Sequence, residues 1–221
     1  PRQVDVTVTL SGNDLKQETS GVYYYDYDGT EKTPNVTVTA NDDNAVLAAS
    51  DYSVSITGNK NVGDATVTVT AKEGGNYTFD DAEVKFAIKK AGAVLTKDPA
   101  AKNLTYTGQP QDLVDVGTAT GGTVVYSDTD KDDPDSYSET IPQGTNAGTY
   151  TVYYMVKGDA NHADTAPGQV SVTIKPKEIT PAITLNPTSF VYDGNPKTPG
   201  VTVKDGTDTI NPTEYTVSYQ N

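Results

Sequence analysis

The sequence feature that most constrains the fold is a repeated turn-and-strand cassette. Residues 146–154 are Asn-Ala-Gly-Thr-Tyr-Thr-Val-Tyr-Tyr, and residues 158–162 are Gly-Asp-Ala-Asn-His. Earlier in the chain, residues 61–69 carry the related series Asn-Val-Gly-Asp-Ala-Thr-Val-Thr-Val, followed by Gly-Asn-Tyr at 75–77. The two Asn-x-Gly turns lie 85 residues apart (146 − 61), as do Asn76 and Asn161. This constant separation predicts a tandem array of homologous units.

Side-chain character alternates along the strand of the second cassette. Tyr150, Val152, Tyr154 and Val156 fall on one side, and Thr149, Thr151, Tyr153 and Met155 on the other. A period of two predicts a strand with one buried face. The start of the strand also has the form of a tyrosine corner, in which Tyr150 hydrogen-bonds back to the preceding turn. Antibody domains have a Cys two residues later, so apolar packing at Val152 must replace that disulfide.

The repeat divides the chain into three units. Unit one covers residues 1–90, unit two covers 91–177, and unit three covers 178–221, where the pattern of unit one starts again. The matching segments are Tyr27–Gly29 with Tyr192–Gly194, Lys32–Val38 with Lys197–Val203, and Asp51–Ser55 with Glu214–Ser218.

Unit three is expected to be an incomplete repeat, because the second half of unit one has no counterpart in it. Its residues Val201, Val203, Tyr215 and Val217 would then face water. We expect residues 178–221 to dock on unit two or, by self-association, on a neighbouring chain.

The pattern of short alternating strands and turn clusters predicts an all-β chain, with no amphipathic helix. The predicted fold is a series of tandem Ig-like β-sandwich domains. The alternative is a β-grasp-like repeat, which needs a helix across the sheet, and residues 41–50 are the place in unit one that could supply it. The junctions near residues 90 and 177 are short and carry Lys and Pro, which predicts a semi-rigid array.

Composition excludes several classes of function. The hydrophobic fraction of 34% includes 15 Tyr, so several thin sandwiches fit the chain better than one large core. The 16 basic and 30 acidic side chains give a net charge of −14, which argues against nucleic acid and anionic membranes as partners. The absence of Cys excludes disulfides, Cys-ligated zinc and thiol catalysis.

No apolar run approaches the roughly 20 residues that a membrane helix needs, so we expect no membrane insertion within this fragment. The chain begins inside the repeat pattern, so a secretion signal and an anchor are expected to lie outside it.

The best metal candidate is the acidic loop Asp128–Glu139. Asp128, Asp130, Asp132 and Glu139 occupy the first, third, fifth and twelfth positions and so imitate an EF-hand calcium loop. Position six is Asp133, where that loop needs Gly, and position seven is Pro134. The two interpretations are an acidic hairpin loop and a calcium site; no other cofactor is predicted.

Tyr23, Tyr24, Tyr25 and Tyr27 suggest a sugar-stacking platform, but alternate side chains of a strand face opposite sides. At least one of these tyrosines is therefore expected in the core. The single His, His162, is interpreted as a turn residue, because no Ser-Asp pair surrounds it in sequence. No catalytic residue is assigned.

These Tyr-Asp/Thr-Gly, Asp/Glu-Tyr-Ser/Thr-Val-Ser, Asn-x-Gly and Gly-x-x-Asn motifs resemble the tandem MBG and YDG-type repeats of large bacterial surface proteins. Units one and three resemble one subtype, and unit two resembles another. The resemblance implies a non-enzymatic stalk or adhesin segment that is extracellular and associated with the cell surface or wall. The alternative is a module that binds a host or cell-surface glycan or protein, with or without calcium. An exposed aromatic patch would favour that alternative.

Overall fold

The protein is all-β, as the alternating sequence pattern predicts. The computed structural model describes residues 1–220. Across these residues the regular structure consists of β-strands and two short 3₁₀ helices, Pro134–Ser136 and Pro212–Glu214, with no α-helix. None of the helical segments in this range has the length and apolar character needed to cross a membrane.

Unit one contains nine strands in two main layers. They are β1 Arg2–Gln3, β2 Val6–Ser11, β3 Lys16–Gln17, β4 Tyr23–Asp26, β5 Asn35–Ala40, β6 Tyr52–Thr57, β7 Gly63–Ala71, β8 Tyr77–Thr78 and β9 Ala82–Lys89. One layer is a five-stranded sheet in the order β3-β4-β9-β7-β6, and the other is the antiparallel pair β2–β5. Within the larger sheet β4 runs parallel to β9, whereas β7 is antiparallel to both β6 and β9.

The core of unit one lies between these two layers. Alternation along β7 sends Ala65, Val67 and Val69 inward, and each is completely buried. Neighbouring β9 adds Phe86 and Ile88, at 1% and 2% exposure. Because both strands contribute only apolar side chains to this face, they form the centre of a β-sandwich.

The helix that a β-grasp fold requires is not formed by residues 41–50, so the β-grasp alternative is wrong. Residues 41–50 form turns and one isolated bridge, in which Val46 pairs with Thr39. Asn44 has a φ of 58° there, a left-handed conformation that Asn tolerates better than most residues and that interrupts any helix.

Unit two contains twelve strands, several of them only two residues long. They are β10 Ala91–Gly92, β11 Val94–Lys97, β12 Ala100–Ala101, β13 Leu104–Thr105, β14 Gln111–Asp112, β15 Val114–Asp115, β16 Thr118–Thr120, β17 Gly122–Ser127, β18 Gln143–Gly144, β19 Gly148–Gly158, β20 His162–Ala163 and β21 Gly168–Lys175. The main sheet has the order β13-β21-β19-β17, and the shorter strands pair in two-stranded ladders. Its core is separate from that of unit one and includes Val114, Val152, Val156, Val172 and Ile174.

The predicted tyrosine corner is present at the start of β19. The Tyr150 hydroxyl donates a hydrogen bond of 2.7 Å to the backbone oxygen of Asn146, so the ring fastens the strand to the turn that precedes it. Two residues later, Val152 is completely buried in the core of unit two. Apolar packing therefore occupies the position of the antibody disulfide, as the sequence predicts.

Replacing Tyr150 by Phe is expected to lower the free energy of unfolding of unit two by about 1 kcal/mol, the usual net contribution of one hydrogen bond. Thermal unfolding measured by calorimetry would detect this change. Tyr153→Phe is the matched control, because Tyr153 lies on the opposite face of the same strand, and we expect no measurable effect. Equal stability of the Tyr150→Phe variant and the parent chain would contradict the corner.

Unit three forms a small sheet in the order β22-β23-β24, from Pro181–Asn186, Gly200–Asp205 and Asp208–Thr209. The expectation was that these residues dock on unit two or on a neighbouring chain; the structure bears only on unit two, and docking on a neighbouring chain stays a prediction. Tyr192 is 92% exposed and Ile183 63% exposed, so unit two does not cover the apolar surface of unit three. The expectation that all four core candidates face water is wrong for Val203, which is 8% exposed and lies opposite Ile183 in the β22–β23 pair.

Candidate functional site: the joint between units one and two

The candidate functional site is a contact between two turns that the sequence repeat singles out. Asn161, in the Gly-x-x-Asn turn of unit two, reaches the Asn-x-Gly turn of unit one. Its side-chain oxygen accepts a 2.9 Å hydrogen bond from the backbone N–H of Val62, and its amide nitrogen donates to the side-chain oxygen of Asn61 over 3.3 Å. Because a backbone N–H can only donate, the oxygen of the Asn161 amide must face Val62. We call this contact, together with His162 and Tyr27, the joint.

Local hydrogen bonds fix the turn that carries Asn161. The Asp159 carboxylate accepts from the backbone N–H of Asn161 at 2.8 Å, and the Asp159 N–H donates to the Gly121 backbone oxygen at 3.0 Å. Lys90, the residue between the last strand of unit one and the first of unit two, donates through its ammonium group to the backbone oxygens of Asp159 and His162. The connecting segment itself therefore helps to hold the joint.

The start of unit two is also tied to this turn. Strand β10 runs parallel to β20, and the backbone N–H of Ala91 donates to the oxygen of Asn161 at 3.1 Å. Unit one begins in the same way: β1 runs parallel to β8, and the Arg2 N–H donates to the oxygen of Asn76 at 2.8 Å. Units one and two thus each fasten their first residues to their own Gly-x-x-Asn or Gly-Asn turn.

His162 contributes its ring to the joint. The ring meets Tyr27 of unit one edge to face, with the centroids 5.3 Å apart, a favourable geometry for aromatic pairs. Its Nδ1 lies 2.7 Å from an Asp159 carboxylate oxygen, and since a carboxylate only accepts, the ring nitrogen donates. The sequence-based interpretation of His162 as a turn residue needs a correction: its backbone N–H closes the turn on the Asp159 oxygen at 3.4 Å, but His162 itself is the first residue of strand β20.

The hydrogen bond from His162 lowers the pKa of the Asp159 carboxyl below its ordinary value of 3.8, and the backbone N–H of Asn161 adds to the effect. A carboxyl whose pKa is depressed in the folded state contributes stability above its ordinary pKa. That contribution is lost as the pH falls through the lower folded value. The charged Asp159 carboxylate therefore stabilises the turn at neutral pH, and this contribution weakens only below the ordinary carboxyl pKa of 3.8.

The acidic loop of unit two is organised by turns. The Asp130 carboxylate accepts from the N–H of Asp132 at 2.9 Å, and Asp133 caps the 3₁₀ helix Pro134–Ser136. The Ser136 hydroxyl bonds the backbone oxygens of Asp130 and Asp133. Within residues 1–220 there is no group of three or more acidic or His side chains placed to hold a metal ion. Asp128, Asp130, Asp132 and Glu139 are therefore not brought together as an EF-hand would require.

The calcium prediction can be checked by thermal unfolding. A protein that binds calcium only when folded melts at a higher temperature in millimolar calcium than in millimolar magnesium. With the four carboxylates apart, we expect the same melting temperature in both salts. A rise specific to calcium, abolished in Asp130→Asn, would show that the loop rearranges around the ion.

The tyrosine-rich strand β4 does not form an open aromatic platform. Tyr25 is buried at 6% exposure and meets Phe86 edge to face in the core, which confirms that at least one tyrosine of this strand points inward. The ammonium group of Lys89 lies 3.7 Å from the centre of the Tyr24 ring. Tyr23 and Tyr27 are partly buried and pack against the core.

Sequence analysis did not predict the joint. It identified Asn61 and Asn161 only as turn residues, and their contact spans 100 residues of chain. One related signal was that the two Asn-x-Gly turns are separated by the same number of residues as Asn76 and Asn161. This equality suggested related turns, but it did not indicate that the turns touch.

Comparison with known proteins adds no relative: no protein-family model matches the chain, and no curated protein matches it.

Proposed function

We propose that this chain is a non-enzymatic structural segment, a stalk or adhesin segment of an extracellular bacterial surface protein built from tandem β-repeats. The observation that carries the proposal is the joint, where the Asn161 side chain bonds both Asn61 and Val62. Specific polar contacts between consecutive units favour one relative orientation, and a stalk requires such an orientation. A flexible tether between independent binding modules has no need of them.

The surfaces of units one and two also support a structural role. Over residues 1–177 the exposed large apolar side chains are all valines: Val22, Val46, Val54, Val94 and Val116. Single valines scattered over a surface are ordinary for a soluble domain. The exposed aromatic patch that would favour a glycan-binding module is not formed by these two units.

Distance measurements between spin labels can test the proposal. The chain has no Cys, so Ser55→Cys and Ser171→Cys, both at exposed strand positions of different units, give two clean attachment sites. We expect a narrow distance distribution by double electron–electron resonance. The Asn161→Ala variant should broaden it, because both side-chain bonds to unit one are lost.

Asn76→Ala is the matched control for this experiment. Asn76 is the repeat equivalent of Asn161, but its side chain bonds Asp51 inside unit one at 2.9 Å. Its removal should leave the distribution narrow. A broad distribution in the parent chain, or one that does not change in Asn161→Ala, would contradict the proposed stalk.

The alternative function is binding of a glycan or a protein through a surface outside the joint. The exposed aromatic residues of unit three, Phe190, Tyr192 and Tyr219, are the observation that favours it. A glycan-array screen of the whole chain distinguishes the two functions. Binding that is lost in Tyr192→Ser would favour the binding module over the stalk.

A further inference from the structure

The acidic loop of unit two contains a peptide bond with its own built-in nucleophile. Asp133 precedes Pro134 there, and the only other Asp–Pro pair of the sequence is Asp98–Pro99. The nitrogen of such a bond belongs to a tertiary amide without an N–H, and it accepts a proton more readily than an ordinary peptide nitrogen. The Asp carboxyl group can attack its own backbone carbonyl carbon, since closure gives a five-membered ring. The surroundings of the bond then determine how readily it breaks.

The backbone oxygen of Asp133 accepts two hydrogen bonds from one residue. The Ser136 N–H donates to it at 3.1 Å, and the Ser136 hydroxyl donates to it at 2.7 Å. Two donors on one carbonyl oxygen form an arrangement of the oxyanion-hole type, which stabilises the negative charge that develops on this oxygen during attack at the carbonyl carbon.

A buried hydroxyl orients the Ser136 side chain. The hydroxyl oxygen of Ser136 lies 2.9 Å from that of Ser127, which is 3% exposed, and 2.9 Å from the backbone oxygen of Asp130. A hydroxyl has a single proton to donate. When Ser127 donates to Ser136, the proton of Ser136 is directed to the nearer of its two carbonyl acceptors, which is the oxygen of Asp133.

The Asp133 carboxyl group is held beside the same peptide bond. Its Oδ1 accepts a 3.0 Å hydrogen bond from the backbone N–H of Asp135. The ring that this hydrogen bond closes contains both the carbonyl carbon of Asp133 and the nitrogen of Pro134, so the nucleophile and its target belong to one fixed turn. Asp133 and Pro134 are both exposed, and water therefore has access to the bond.

The second Asp–Pro bond lies in a different environment. Within residues 1–220 no hydrogen bond is donated to the backbone oxygen of Asp98. Its carboxylate accepts instead from the Tyr154 hydroxyl at 3.5 Å, and Pro99 is buried. The same chemical bond thus occurs twice in unit two, and hydrogen bonds polarise its carbonyl group in one case only.

We propose that the Asp133–Pro134 bond is a self-cleavage site. A carboxyl oxygen of Asp133 attacks its own backbone carbonyl carbon while the two Ser136 donors hold the carbonyl oxygen. The bond from this carbon to the Pro134 nitrogen breaks, the carboxyl proton passes to that nitrogen, and a cyclic anhydride remains on Asp133. One water molecule then opens the anhydride and restores the side-chain carboxyl group. The products are a free α-carboxyl group at Asp133 and a free amino group at Pro134.

Strand pairing keeps the two products together. Strands β17 and β19 lie on opposite sides of the cut, and they pair at six positions, from Gly122 opposite Gly158 to Ser127 opposite Tyr153. The cut therefore converts one chain into two pieces that remain joined through the main sheet of unit two. The inference depends on the acidic loop and not on the proposed stalk function.

Intact-mass spectrometry of the whole chain can test the proposal. The chain is incubated at about pH 4, where about half of ordinary Asp carboxyl groups carry the required proton, and circular dichroism verifies that it stays folded. We expect the fragments 1–133 and 134–221 to accumulate at least about tenfold faster than the fragments 1–98 and 99–221. In urea that unfolds the chain, the hydrogen bonds of the loop are lost, so both bonds should be cut at similar rates.

Three variants identify the groups responsible. Ser136→Ala removes the hydroxyl donor, and it should slow cleavage at Asp133–Pro134 by about tenfold without changing the rate at Asp98–Pro99. Ser138→Ala is the matched control, because the hydroxyl of Ser138 in the same loop accepts from the Thr140 N–H instead, and its rate should equal that of the parent chain. Asp133→Ala removes the nucleophile and should abolish this cut.

Several results would overturn the proposal. They are the absence of fragments 1–133 and 134–221, equal rates at the two Asp–Pro bonds of the folded chain, and a parent rate in Ser136→Ala. A difference between the two bonds that persists in urea would also overturn it, because the cause would then lie in the neighbouring sequence and not in the folded loop.

Discussion

Phe86→Ala is expected to destabilise unit one by about 3–5 kcal/mol, the usual cost of removing a buried aromatic side chain. Phe86 is 1% exposed, lies in the central strand β9 and meets Tyr25 edge to face at 5.4 Å. Because domains of this size are stable by about 5–15 kcal/mol, the substitution removes a large part of the stability of unit one. Unit two has a separate core and should retain its own transition.

Differential scanning calorimetry should show this as a selective shift. For a unit of 60–100 residues each kcal/mol lowers the melting temperature by about 4–8 °C, so the transition of unit one should fall by more than about 10 °C. Val54→Ala is the control, because Val54 is 41% exposed on edge strand β6, and its effect should stay within about 0.5 kcal/mol. A parallel fall of both transitions would show that the two cores are not independent.

Gly121→Ala is expected to cost about 2–5 kcal/mol and to open the joint. Gly121 has a φ of +75°, and a Cβ there would lie 2.5 Å from the Cγ and Cδ2 atoms of the His162 ring. The left-handed backbone alone costs an alanine about 1–2 kcal/mol, and overpacking adds about 1–3. The ring must move away, and its contact with Tyr27 is lost.

Two further variants separate these causes. Gly21→Ala has a similar φ of +89°, but a Cβ there meets nothing within 4 Å, so it should show only the backbone cost. His162→Ala added to Gly121→Ala should recover the steric part. Thermal unfolding gives the energies, and the spin-label distances show whether the joint has opened. Equal costs for Gly121→Ala and Gly21→Ala would mean that the His162 ring does not pack as described.

Patterns within single strands predicted much of the fold. The alternation around Tyr150 placed Val152 in the core, and the Asn-x-Gly-Thr-Tyr series predicted the corner that Tyr150 forms with Asn146. These features depend on the local chain, where a period of two determines which face is buried. The match between Lys197–Val203 and Lys32–Val38 also predicted that unit three would repeat unit one.

Features that depend on three-dimensional placement were not predicted from the sequence. The contact of Asn161 with Asn61 requires two turns of different units to meet, and nothing in either turn specifies the other. The acidic loop shows the opposite case: Asp128, Asp130, Asp132 and Glu139 have calcium-loop spacing, but the 3₁₀ helix at Pro134–Ser136 directs the chain differently. Spacing along the sequence corresponds to coordination geometry only when the backbone curves as the motif requires.

The parallel pairings at the ends of unit two determine how it would respond to mechanical tension. The entering strand β10 runs parallel to β20, and the last residues of β21, Ile174 and Lys175, run parallel to β13. When the two ends of a unit are pulled apart, strands paired in parallel slide along each other, so that their hydrogen bonds bear the load together. Antiparallel end strands would instead separate one bond at a time. In the stalk that we propose, these few terminal residues would bear the load and so would act as a mechanical clamp.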